Sequence, residues 1–217
     1  MINNINNNTI SIWKPQGITS FDVIRKFKYY NPKSKYGHAG TLDPFAEGVL
    51  IVCREEGLKK VDYYSNLDKE YIGLIKLGIY MDTLDCMGND IYKKTIPNLS
   101  IEHINKVLRS FKGDIMQRPP AFSALKINGV RLYELARQGI FIHKKPRKVT
   151  IHNINLLKFN NKDEIEFKVL CSKGTYIRSL ARDIASKLNT CGFLKTLKRS
   201  KIGNYNISNS IHYSEIK

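Results

Sequence analysis

The sequence predicts an α+β domain built on a mixed, largely antiparallel sheet flanked by helices. Three observations predict it. Tyr71–Leu77 alternates apolar and polar residues, as a half-buried strand does. Lys148–Phe159 and Glu164–Cys171 are two strand-like runs joined by the short polar "NNKD", the mark of a hairpin. Apolar residues at helical spacing lie between such local strand pairs.

The elements follow in order. Residues 1–9, "MINNINNNT", are Asn-rich and read as a disordered lead-in without the basic start and apolar stretch of a signal peptide. Ile10–Trp13 is a short strand and "KPQG" a turn. Thr19 followed by Asp22 resembles a capping box. Phe21, Ile24 and Phe27 then share a helical face, and Asn31-Pro32 ends that helix. "GHAGTLDPFAEG" reads as a loop, and Val49–Cys53 as a buried strand. "GLKKVDYYSN" is a short helix, and "IYMDTLDCMGND" a polar loop after the Tyr71–Leu77 strand. Ser100 caps a helix carrying Ile101, Ile104, Val107, Leu108 and Phe111, with Gly113 at its end. Two prolines and Asn128-Gly129 break "QRPPAFSALKINGVR", and Leu132–Gln138 is a short helix stopped by Gly139. After the hairpin, "SKGTYIRSLARDIASKLN" starts a helix whose apolar face is Ile177, Leu180, Ala181, Ile184 and Leu188. "LKTLKRSKIGNY" and a polar tail close the chain.

Composition narrows the function classes. The 217 residues are enough for one sizeable core. Thirty-six Lys and Arg against 19 Asp and Glu give a formal net charge of +17, which points to a polyanionic partner. A bias toward Asn, Lys and Ile can inflate Lys but does not account for the arginines. Four scattered cysteines form no CxxC pair, and five histidines show no metal-ligand spacing, so neither a disulfide framework nor a metal site is expected. No apolar run approaches spanning length. A reducing, cytosol-like compartment fits best.

Four stretches could carry chemistry. In "GHAGTLDP", Asp43 stands between Leu42 and Pro44 in a loop punctuated by Gly37, Gly40 and Gly48. A fastening turn explains it alone; a carboxylate displayed beside a substrate, with His38 as a neighbouring ring, is the alternative. In "CSKGTYIRSLARD", Arg178 is either a solvated helix residue or a cation that pairs with a catalytic carboxylate. Lys173-Gly174-Thr175 could bind phosphate at the helix start. Tyr71 is a core-edge tyrosine or a ring that stacks on a base. The basic, irregular stretch from Asp114 to Gly139 is a surface excursion or an arm that meets phosphates through Arg118, Lys126, Arg131 and Arg137.

Together "GHAGTLDPFAEGVL", "KEYIGLIKLG", "RPPAFSALKINGVRLYELARQG" and "CSKGTYIRSLARDIASKL" resemble the successive motifs of the TruB family, the tRNA pseudouridine-55 synthases, over about Ile10 to Ile211. The resemblance implies a pseudouridine synthase catalytic domain over residues 10–211, a thumb-like insertion over about 114–142, and a tail over 212–217. It implies an enzyme, a cytoplasmic monomer, that converts a T-loop uridine of tRNA to pseudouridine without cofactor or metal. It implies that Asp43 is the catalytic aspartate, a nucleophile or acid/base group acting on a flipped base, and that Arg178 keeps it ionised. By the same resemblance Tyr71 stacks on the base, Tyr176 and Leu197 line the uracil pocket, His38 stacks where the base left, and Lys14 supports the catalytic loop. Two departures from the family are expected to matter little or much: Ala39 stands where Thr is common, and no C-terminal PUA domain follows.

Overall fold

The computed structural model describes residues 8–123, 125–127, 129–142 and 144–217, with the Lys126 side chain left aside. Among the described residues the chain runs β1 (Thr9–Lys14), α1 (Ser20–Tyr30), β2 (Tyr36–Ala39), β3 (Glu47–Arg54), a 3-10 turn over Glu55–Lys60, α2 (Val61–Asn66) and β4 (Lys69–Leu77). Then come β5 (Ile79–Met81), β6 (Asp90–Lys93), α3 (Ile101–Arg109), β7 (Gly113–Gln117), β8 (Lys126–Ile127), β9 (Val130–Arg131) and α4 (Leu132–Arg137). The last elements are β10 (Arg147–Phe159), β11 (Glu164–Cys171), α5 (Ile177–Lys187), β12 (Gly192–Ile202), β13 (Tyr205–Asn206) and β14 (Ile211–His212). Two units divide these elements. The first holds the described residues up to Ile72 and Leu197–Lys217; the second holds Gly73–Thr196.

In the first unit β3 is the organising strand. It runs antiparallel to β1 from Thr9↔Cys53 to Lys14↔Gly48, antiparallel to β2, and parallel to β12 at Lys198↔Glu47 and Arg199↔Gly48. Both faces of this sheet are covered. Ile10, Ile12, Leu50 and Val52 pack with Val23, Ile24 and Phe27 of α1. Trp13, Val49, Ile51 and Cys53 pack with Tyr64 of α2 and Ile202. Burial on both faces is why Val49–Cys53 is a continuous apolar run rather than an alternating one. Helix α1 starts at a complete capping box: Thr19 accepts from the Asp22 N–H and Asp22 accepts from the Thr19 N–H.

In the second unit β10 pairs antiparallel with both β11 and β7. Ile165, Phe167, Val169 and Cys171 alternate to one buried face of β11. Helix α5 buries Ile177, Leu180, Ala181 and Ile184. Strands β5 and β6 form a separate hairpin.

Several expectations change. "GHA" belongs to a strand, β2, because β3 offers it a partner edge. The polar "IYMDTLDCMGND" contains β5 and the start of β6, and the closing "LKTLKRSKIG" is most of β12, whose many lysines hide its strand pattern. Phe111 lies beyond the end of α3. Asp114–Gln117 of the expected 114–142 insertion are ladder residues of β7, and the segment connecting β7 to β10 is 118–146. Thr9 already belongs to β1, and residues 1–7 of the expected lead-in lie outside the described residues, as do Asn128 and the Lys126 side chain. The expected tail is packed: His212 pairs with Trp13 and Ile216 is buried against Ile10 and Phe27.

Candidate active site

The loop from Gly40 to Ala46 is held by its main chain almost residue by residue. Arg199, a buried residue of β12, donates from Nε to the Val49 carbonyl (2.7 Å), from Nη1 to Thr41 (3.3 Å) and from Nη2 to Gly40 (3.0 Å). Ser20, in the first turn of α1, accepts from the Leu42 N–H (2.8 Å) and donates to its carbonyl (3.1 Å). The Asp43 carbonyl accepts from the Ala46 N–H and the Pro44 carbonyl from the Gly17 N–H. Lys14, 0 % exposed, donates to the carbonyls of Pro15 (2.8 Å), Ile18 (2.8 Å) and Ala46 (2.7 Å). Asp43 therefore sits on a backbone with little freedom, and its side chain is half-buried. A reacting group held this way needs little reorganisation before it acts.

The cations have a specific electrostatic balance. Three ammonium hydrogens of Lys14 meet three carbonyls, which compensates much of the cost of burying the charge. Burial foremost, and repulsion from Arg199 next, lower the Lys14 pKa to about 8, against the attraction of Asp43, Asp22 and Glu47. Gly48 has φ +130°, and a Cβ there would lie 2.3 Å from the Arg199 carbonyl oxygen. Only glycine lets β12 pass so close to the loop's end.

The other expected residues of this unit are placed as follows. His38 is half-buried in β2, opposite Val52. Tyr71 is buried, on the inward set of β4's alternation. Leu197 is buried on β12, two residues before Arg199 and so on the same side of the strand. Arg199 itself went unnoticed in sequence. It reads there as one more cation in "LKTLKRSK", and its burial is a consequence of tertiary pairing.

Tyr176 and Arg178 belong to the second unit. Arg178 is no solvated helix residue. It is buried, and donates from Nη1 to the Thr83 carbonyl (2.9 Å) and from Nη2 to the Phe122 carbonyl (3.0 Å), with Asp85 at 3.4 Å as an ionic partner. Asp85 is buried too; it accepts from the Thr83 hydroxyl (2.7 Å) and the Met87 N–H (3.0 Å). This carboxylate was also missed, because "DTLD" reads as an ordinary polar turn. Tyr176 precedes the first residue of α5. Gly174 presents its carbonyl to Arg147, and the Thr175 hydroxyl donates to the Ser172 carbonyl. Arg182 pairs with Asp183, whose pKa is raised by burial despite that partner. Among the described residues no cluster of three His, Cys, Asp or Glu side chains could hold a metal ion, and no helix is long and apolar enough to cross a membrane.

This mixed, mainly antiparallel fold has counterparts among solved structures. In "Crystal Structure of a Cbf5-Nop10-Gar1 Complex" a chain matches 94% of this one with TM-score 0.73 and 28% identity. In "Structure of H/ACA RNP bound to a substrate RNA containing 2'-deoxyuridine" a chain matches 95% with TM-score 0.71 and 25% identity. This chain spans 51% of each of those two. The fold is that of the pseudouridine synthases. More narrowly, the profile of the TruB family pseudouridylate synthase (N terminal domain) matches residues 26–177. The chain belongs to the TruB family. Similar proteins include the tRNA pseudouridine synthase B of Clostridium tetani, 47% identical over 97% of this chain and 72% of that protein. That of Francisella philomiragia is 46% identical over 97% of this chain and 70% of its own length.

Proposed function

We propose that this pseudouridine synthase acts on tRNA and converts the T-loop uridine at position 55, with Asp43 as its nucleophile. The observation that carries the reading is the pinning of the Asp43 loop through Arg199, Ser20 and Lys14. A structural turn needs no three buried polar side chains to hold its main chain, whereas a reacting carboxylate does. The names of the relatives supply the substrate class.

In this reading the uridine leaves the base stack, at a cost of a few kcal/mol that stacking on Tyr71 offsets. Tyr176 and Leu197 line the space for the uracil, and His38 fills the gap in the T-loop. A carboxylate oxygen of Asp43 forms a transient bond, and the bond between N1 and the ribose C1′ breaks. The uracil turns, C5 bonds to C1′, the C5 proton leaves, N1 takes a proton and Asp43 is released. No electrons are lost or gained overall, so the isomerisation needs no oxidant or reductant. The role of Arg178 is to favour the ionised carboxylate against desolvation. The surplus of Lys and Arg binds the phosphates.

The test is release of tritium from an unmodified tRNA transcript labelled at uridine C5. The native chain should release it and Asp43→Asn should not, while tRNA binding by that variant persists. An active Asp43→Asn chain would remove Asp43 from the role.

A further inference from the structure

Gln117 closes β7 and Arg147 opens β10, and the two are direct partners across this antiparallel pair. The 118–146 excursion thus leaves and returns through one cross-strand pair. Both side chains of the pair reach the same residue, Tyr176. The buried carboxamide of Gln117 satisfies both main-chain groups of Tyr176: Oε1 accepts from its N–H (2.8 Å) and Nε2 donates to its carbonyl (3.1 Å). The guanidinium of Arg147 lies over the Tyr176 ring, 5.0 Å from its centroid. One nitrogen, Nη2, donates to the Gly174 carbonyl, and the buried Nε makes no hydrogen bond. Gly174 has φ +78°, and a Cβ there would lie 3.1 Å from Arg147 Nη2. The tyrosine is therefore gripped twice, by its main chain from one strand and by its ring from the next.

We infer that Gln117 and Arg147 are positioning residues for Tyr176, a cross-strand clamp that sets the ring at the neck of the arm. The inference rests on Tyr176 meeting the uracil, as proposed above. A solvated arginine needs no ring beneath it, and a simple helix cap needs no bond to both polar groups of one residue. The clamp fixes the main chain before α5 and leaves the ring one favoured placement, since the cation is attracted to its face.

The experiment uses the full chain, a C5-tritiated tRNA transcript, saturating enzyme and single turnover, with tRNA affinity measured separately. Arg147→Ala and Gln117→Leu should each slow tritium release by about tenfold or more, because small misplacements at a reacting centre are costly. The Kd for tRNA should stay within about twofold. Arg147→Lys should recover part of the rate, since an ammonium can also sit over the ring. In a Tyr176→Ala background both substitutions should lose most of their effect. Equal slowing in that background, or weaker tRNA binding at unchanged rate, would make Arg147 a phosphate contact and overturn the clamp. If Gln117→Leu does not fold, Gln117→Glu, which keeps the acceptor for the Tyr176 N–H, enters the same cycle. Should Tyr176→Ala alone leave the rate unchanged, the uracil-pocket assignment falls and the clamp with it. Should Tyr176→Ala slow release while the clamp variants do not, the clamp alone falls.

Discussion

Ser20→Ala removes one oxygen atom and isolates two main-chain groups. Ser20 Oγ accepts from the Leu42 N–H at 2.8 Å and donates to the Leu42 carbonyl at 3.1 Å, and both residues are buried. The space left by one oxygen is too small for a water that could take its place. A buried polar group left unpaired costs about 1–3 kcal/mol, so two of them cost roughly 2–4 kcal/mol once the chain relaxes. Alanine is the better helix former and returns only a few tenths of a kcal/mol at this helix start. Against a total stability of about 5–15 kcal/mol the loss is large but survivable. Leu42 adjoins Asp43, so release of its main chain should also lower the single-turnover rate by about ten- to a hundredfold. Urea unfolding followed by circular dichroism gives the first quantity, and tritium release in the folded range gives the second. A stability change under about 0.5 kcal/mol together with an unchanged rate would refute the pinned-loop argument.

Other outcomes follow from the same geometry. Lys14 should make activity fall as pH rises past about 8, because a neutral amine has two hydrogens for three carbonyls. Its folded pKa lies below the ordinary 10.5, so between these values the unfolded chain keeps a proton that the folded chain has lost. Lys14's contribution to stability therefore rises with pH across that window, and Lys14→Met should flatten the rise in a denaturation series. Gly48→Ala should abolish folding or lower the melting temperature sharply, since its Cβ would strike the β12 backbone; thermal melts of purified protein decide it. Thr19→Ala should cost about 1 kcal/mol, read from urea midpoints. The Thr19 hydroxyl foremost, with the Thr19 N–H, holds the Asp22 carboxyl below its usual range. That stabilisation is complete above the ordinary carboxylate pKa and disappears as pH falls through the lowered one, so the gap between wild type and Thr19→Ala should narrow in acid to what the Thr19 bond to the Asp22 N–H contributes.

Local signals carried much of the fold. The capping box at Thr19, the alternation of Tyr71–Leu77 and the hairpin after Lys148 depend on neighbours in sequence, and each stands in the structure. The strands that were not legible depend on distant partners. Tyr36–Ala39 has too few apolar residues to declare itself, and becomes a strand because β3 lies alongside. Strand β12 carries exposed lysines at 195, 198 and 201, which mask the buried Leu194, Leu197 and Arg199. The candidate site divides the same way. Turn chemistry shows Asp43 and its glycine frame as a loop, favouring a fastening turn; the resemblance to the TruB family makes Asp43 a site candidate. Arg199 and Asp85 could not be picked out, because a buried arginine and a buried aspartate look like surface charges until tertiary partners close over them. Arg178 was visible as a cation, but its bonds to Thr83 and Phe122 were not.

The parallel contact between β3 and β12 joins residues far apart in the chain: Arg199 and the Val49 carbonyl are separated by 150 positions. Contacts of such long range form late, since a long loop must close before they reward it. During synthesis the Asp43 segment leaves the ribosome early, yet its guanidinium brace arrives only after some 150 more residues. A nascent chain can thus complete β1, α1 and β3, with Lys14 and Ser20 already on the loop, while the Arg199 bonds to Gly40, Thr41 and Val49 are still to come. The last main-chain brace of the Asp43 loop is laid only when β12 pairs with β3, near the end of synthesis.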